Sequence, residues 1–202
     1  MKRLIGLKFD SDQARKEMAR LPSSLKFCDN KINGGVGVEI FFDGKERIVS
    51  VEQGAAMMIS HLRDIAKANN AGQDVVDWVI GVPPYFSDQQ KRSFLDACAV
   101  VGVDCLKLMD ETTATALAYG IFKDMKKEFK EDSNNYTLFV DIGESAYSVS
   151  VVSFTKAKLT TLSTQWDRNL GGRDFDLAIA EWAAKKFVEK YPSAGNPKVS
   201  FE

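Results

Sequence analysis

Residues 139–150 read FVDIGESAYSVS, and this stretch decides how the rest of the chain is understood. An apolar strand runs into Asp141, breaks at Gly143, crosses a short polar turn and returns to alternation. Strand, carboxylate, glycine, turn, strand is a pattern that can present successive backbone amides to a phosphate. The turn carries one glycine, and Ser148 stands on the returning strand where a second carboxylate would help. Taken alone, a D-x-G turn is also common hairpin punctuation.

Strand candidates YTLFVDI, SAYSVSVVSFT and KLTTLSTQ follow one another closely enough for an antiparallel meander. Gly171-Gly172 then precedes a helix over 173–190, whose apolar face holds Phe175, Leu177, Ile179, Trp182, Ala183 and Phe187. Free amides at the start of that helix would suit an anion. Upstream, VGVEIFF and RIVSV flank Asp43-Gly44 and predict a hairpin. Residues 12–20 are compatible with a short helix. A helix over 52–70, a strand over 75–82 closed by Pro83-Pro84, and a helix from Ser87 or Asp88 to Val101 follow. After Gly102 come a strand at 103–109 and a helix at 111–121, with Glu111 at their junction. Residues 123–135 are charged and read as a solvated connection. Interleaved strands and helices make the class mixed α/β.

Composition narrows the function. The 202 residues are 45% hydrophobic and 27% charged with net charge −1, which fits a folded protein without a general affinity for nucleic acid or anionic membrane. No apolar run reaches the length of a membrane span, and the basic N-terminus lacks the apolar core of a signal peptide. Cys28, Cys98 and Cys105 have no metal-ligand spacing, and the last two read as buried thiols of a reducing compartment. Asn135-Tyr136-Thr137 is a formal glycosylation sequon, read as unmodified. The sole histidine, His61, falls on a helix away from any nucleophile context, so triad and His-based metal schemes lose support. The G-x-x-x-x-G-K-[ST] phosphate loop is absent.

The order of three longer stretches is far more specific. VIGVPPYFSDQQKRSFLDACAVVGVDCLKLMDETTATALAYG, FVDIGESAYSVSVVSF and NLGGRDFD resemble the 70-kDa heat-shock chaperone superfamily. NGGVGVEIFFDGKERIVSVEQ, CLKLMDETTATALAYGIFK and the DIGESA turn resemble its 110-kDa branch. The resemblance implies an actin-like ATPase (ribonuclease H-like) fold, present as two incomplete lobes. Residues 1–122 would be the later part of lobe I, 123–135 a connecting loop, and 136–202 the start of lobe II. The abrupt termini are expected for a fragment that binds ATP weakly or not at all by itself.

By the same resemblance, Lys2 matches a lysine near the γ-phosphate and Glu111 an acidic residue that positions metal-bound water. Asp141 matches the residue that acts on Mg2+ through water. Gly143, Glu144, Ser145 and Ala146 match the phosphate-contacting turn, and Gly172 another nucleotide contact. Vigorous hydrolysers in that family carry D-L-G-G-G-T-F-D. Here Glu144, Ser145, Ala146 and Ser148 replace two glycines, a threonine and an aspartate. Glu144 puts negative charge beside a polyphosphate unless its side chain points away, and Ala146 and Ser148 lose a hydroxyl and a carboxylate. The implied activity is an ATP-binding chaperone with weakened hydrolysis, acting in the cytoplasm as nucleotide-exchange factor for a 70-kDa chaperone and as holdase for unfolded polypeptides. An actively hydrolysing 70-kDa-type chaperone and a sugar kinase of the actin-like superfamily are the alternatives.

Overall fold

The computed structural model describes residues 2–21, 24–129, 134–156, 158–195 and 197. Two compact units divide it, one built on Met1–Ile80 and Phe86–Leu108, the other on Gly81–Tyr85 and Met109–Ser200. The expected lobe boundary at 123–135 falls inside the second unit, and residues 130–133 of it lie outside the described residues.

In the first unit, β1 (Lys26–Asp29), β2 (Val36–Phe42) and β3 (Lys45–Ser50) form an antiparallel sheet in that order. Phe42 pairs with Lys45 across Asp43-Gly44, whose φ angles of 53° and 71° are those of the mirror-image two-residue turn. That turn matches the right-handed twist of the strands, which is why Asp-Gly is favoured there. The alternation in VGVEIFF located β2, whereas β1 has only four residues, KFCD, and went unread.

Helix α1 (Asp12–Met18) begins after Ser11, whose hydroxyl accepts from the Ala14 N–H. Ahead of it, Leu4 and Ile5 are buried, which accounts for the apolar opening of the chain. Arg3 and Glu17 are buried together as a two-point ion pair, Nη2 to Oε1 at 2.8 Å and Nε to Oε2 at 2.7 Å. Helices α2 (Val51–Asn69) and α3 (Asp88–Val100) each start with a reciprocal cap, Ser50 with Gln53 and Ser87 with Gln90. Two of the orphan amides at each helix start are thereby satisfied. The two helices bury Ala56, Ile59, Ala97 and Cys98 with Val103, and Trp78, Ile80 and Phe94 pack around this cluster. His61 lies exposed on α2, as its helical position predicts. Gly102, at φ 68°, ends α3.

Strands β4 (Asp77–Val82) and β5 (Asp104–Asp110) form a two-stranded sheet, and β5 leads directly into α4 (Glu111–Met125). The second unit continues through β6 (Asn135–Ile142), β7 (Tyr147–Thr155) and β8 (Lys158–Asp167), an antiparallel meander as predicted, to α5 (Gly172–Lys190). Two differences from the sequence reading have physical reasons. Helix α4 runs to Met125 and Phe129 stacks on Phe154 at 5.6 Å, so part of the charged connection belongs to the core. Helix α5 buries none of its residues among those described, and Phe175, Ile179, Trp182 and Phe187 are exposed. Its helical periodicity was readable, but burial depends on a partner surface that periodicity does not supply.

Candidate functional site

The site is built on one face of the meander. Along β7, Ser148, Ser150, Val152 and Phe154 point to the same buried side, because successive side chains on a strand alternate. Val152 and Phe154 join Ala116 of α4 in a core bordered by Tyr119, Phe129, Phe139 and Leu159. Tyr119 meets Phe139 edge-on at 5.4 Å. Gly120 permits this packing, since a Cβ there would lie 3.0 Å from a Phe154 ring carbon. The apolar end of β7 thus anchors the strand, and the serine end leads to the turn.

Asp141 pairs in register with Ser148 and lies on the Phe139 face of β6, where the strand has run past the core and the carboxylate is exposed. Gly143 to Ala146 close the connection to β7, with the Gly143 N–H donating to the Ala146 carbonyl at 2.9 Å. The start of α5 then clamps this turn from the side. The Gly172 N–H donates to the Gly143 carbonyl and the Arg173 N–H to the Glu144 carbonyl, both at 2.9 Å. Gly171 fits against the turn so closely that a Cβ would lie 2.6 Å from the Glu144 carbonyl oxygen and 2.7 Å from the Ser145 nitrogen. Asp174 completes the helix start by accepting from the Gly171 N–H at 2.9 Å.

The side chains add a second tie. Arg173 Nε and Nη2 both reach Glu144 Oε1 at 2.6 Å. The negative charge that Glu144 brings to the turn is therefore met by a guanidinium, which resolves the electrostatic objection to it. The expectation of free amides at Gly171-Gly172 is corrected. Both N–H groups are taken within the chain, by Asp174 and by the Gly143 carbonyl, because the helix start holds the turn.

Glu111 opens α4 directly after β5, the strand-to-helix junction that the sequence predicted. Its Cγ lies 3.7 Å from where a Cβ on Gly81 would stand, so Gly81 leaves room beside it. Among the described residues, hydrogen bonds join Gly143 to Ala146 and Gly172, and Glu144 to Arg173, and Ser145 shares their turn. Lys2 belongs to the first unit, exposed in a single 3-10 turn at Lys2–Leu4. The sequence reading missed Arg173, Gly171 and Asp174 as turn-holding residues. The signal was in NLGGRDFD, where an acidic residue three positions past a glycine N-cap is the back half of a capping box.

Comparison with known proteins identifies the family. The Hsp70 protein family model matches residues 1–195. The human heat shock 70 kDa protein 4L is 40% identical over 190 residues, covering 94% of this chain and 22% of that protein. A heat shock protein homolog of Saccharomyces cerevisiae is 36% identical over 191 residues, covering 95% of this chain and 27% of that protein. The rat heat shock 70 kDa protein 4 is 41% identical over 158 residues, 78% of this chain and 19% of its own length. The chain thus spans about a fifth to a quarter of the relatives that it matches. With a mixed α/β architecture, the clamped DIGESA turn and a match along nearly its whole length, the chain belongs to the Hsp70 family, in its 110-kDa branch, and has the actin-like ATPase fold of that family.

Proposed function

We propose that this segment serves a nucleotide-binding chaperone, which binds ATP or ADP with Mg2+, hydrolyses ATP slowly, and acts as nucleotide-exchange partner of a 70-kDa chaperone and holdase for unfolded chains. The observation that carries the reading is the turn Gly143–Ala146, fixed by α5 and with its one added charge paired to Arg173. A polyphosphate fits such a turn because its backbone is held in advance and the Glu144 carboxylate is paired with Arg173.

Mg2+ keeps several waters and is usually held by one or two carboxylates together with phosphate oxygens. Asp141, exposed beside the turn, is the carboxylate suited to that role through water. The metal would contribute neutralisation of phosphate charge. Glu144, Ser145 and Ala146 would hold phosphates by their backbone, with Gly143 and Gly172 fixing the turn and Glu111 and Lys2 acting on water and γ-phosphate.

Slow hydrolysis follows from side chains that are absent. Ala146 has no hydroxyl and Ser148 no carboxylate, so two candidate groups for ordering water and metal are missing. Ser148 is moreover buried at 9% exposure, with little access to solvent. Nucleotide then acts by favouring one conformation over another, which is how bound ligand energy becomes a change of partner affinity. No observation favours the sugar-kinase alternative.

Two measurements test this on a full-length protein that carries this segment. Release of a fluorescent ADP from a 70-kDa chaperone should accelerate when the protein and ATP are added, and an unchanged rate would refute the exchange role. Single-turnover ATP hydrolysis should be much slower than that of the 70-kDa chaperone, and equal rates would refute the weakened site. No helix among the described residues is long and apolar enough to cross a membrane, and a cytoplasmic site of action is part of the same proposal.

A further inference from the structure

The first unit contains a pair of thiols that the nucleotide reading does not use. Cys98 lies in the last turn of α3 and is 1% exposed, while Cys105, the second residue of β5, is half-buried. The chain reverses between them at Gly102, and the Cys98 carbonyl accepts from the N–H groups of both Val101 and Val103, at 3.2 and 3.0 Å. This turn returns β5 against the cluster of Ala56, Ile59, Ala97, Cys98 and Val103, and Cys105 packs on that cluster. Cys28 is a half-buried free thiol on β1 and serves as an internal comparison.

We propose that Cys98 and Cys105 form an oxidisable dithiol, a modification site at which a peroxide closes a disulfide between α3 and β5. The two thiols divide the work by exposure. Burial, with Cys105 alongside, pushes the Cys98 thiol up to about 11, so it stays protonated and shielded. Cys105 is the one a small oxidant reaches. Its thiolate attacks one oxygen of hydrogen peroxide, the O–O bond breaks, and hydroxide leaves to become water on taking up a proton. The sulfenic acid on Cys105 is then attacked by the Cys98 sulfur. The S–S bond forms, the S–O bond breaks, and a second water leaves with the Cys98 proton. Two thiols have given up two electrons and the peroxide has gained them. Glutathione or a thioredoxin-type dithiol would reverse the step by exchange.

The site is independent of the nucleotide proposal and is testable on the 202-residue chain. The chain is treated with stoichiometric hydrogen peroxide, alkylated with iodoacetamide after unfolding, and digested with trypsin. Cleavage after Arg92 and Lys107 leaves both cysteines on one peptide, SFLDACAVVGVDCLK. The expected product is that peptide lighter by two hydrogens and free of alkyl groups, restored to double alkylation by prior reduction. Cys98→Ala should instead drive Cys105 to sulfinic acid or, with glutathione present, to a mixed disulfide, and Cys105→Ala should leave Cys98 reduced. Circular dichroism checks that each variant folds. Three results would each overturn the proposal: a doubly alkylated peptide under peroxide that has oxidised Cys28, sulfinic acid at Cys105 of the parent chain, or a cross-link to a second chain in place of the internal one.

Discussion

Replacing Gly171 by alanine should loosen the turn that carries the candidate phosphate site, and the same change one residue later should not. At Gly171 the backbone is extended, φ −165°, so an alanine suffers no backbone strain. The obstacle is space. A Cβ would stand 2.6 and 2.7 Å from the Glu144 carbonyl oxygen and carbon and 2.7 Å from the Ser145 nitrogen. Reaching an ordinary separation of about 3.5 Å requires the turn to retreat by roughly 0.8 Å. Moving that far stretches the hydrogen bonds from Gly172 to Gly143 and from Arg173 to Glu144, now 2.9 Å, beyond useful length. Two such bonds at about 0.5–1.5 kcal/mol each, or the equivalent overpacking strain, put the cost at about 1–3 kcal/mol. At Gly172 a Cβ meets nothing closer than 3.8 Å, and the position is the first of a helix. Alanine there should be neutral or stabilising by up to about 1 kcal/mol. Urea unfolding of the three chains, with amide exchange to locate the effect, measures this. For a slope of roughly 1–3 kcal/mol per molar urea, the Gly171→Ala midpoint falls by about 0.3–3 M. Equal midpoints for the two alanine variants would refute the steric account of the clamp.

Other outcomes follow from the same contacts. Arg3→Ala or Glu17→Ala alone should destabilise the first unit by about 3–5 kcal/mol, because each strands a buried charge; Arg3→Met with Glu17→Leu should recover most of that in urea unfolding, and a double variant as weak as the singles would contradict this. Gly120→Ala should cost about 1–3 kcal/mol by pushing on Phe154, and Phe154→Leu in the same chain should reduce the penalty. In a full-length protein that binds nucleotide, Arg173→Met should lower ADP affinity about threefold by leaving Glu144 unneutralised near the phosphates, with Glu144→Gln restoring it; calorimetric titration reads both, and a loss that Glu144→Gln does not repair would contradict the charge argument.

Several elements could be read directly because their causes are local. Asp43-Gly44 specifies its turn through two adjacent residues that accept positive φ, and Gly102 ends α3 for the same reason. The reciprocal caps at Ser50–Gln53 and Ser87–Gln90 start helices within a residue of where periodicity placed them. Glu111 was found at its junction because a β-to-α switch is visible in the chain. By contrast, β1 is too short to show alternation, and Phe129 sits in so polar a stretch that nothing local marks it as a core residue.

The sequence by itself determined the order of elements apart from β1, the D-x-G turn, and, through the spacing of its long motifs, the family. Those properties depend on neighbours in the chain or on residue identity at fixed intervals. Only the tertiary structure decided that Glu144 is paired with Arg173, 29 residues away, that the Gly172 amide is taken by the Gly143 carbonyl, and that Cys105 packs on the cluster holding Cys98. Each of these is a contact between segments separated by a turn or a whole meander. The charge, amide or thiol is written in the sequence, but its partner is set by how strands and helices pack.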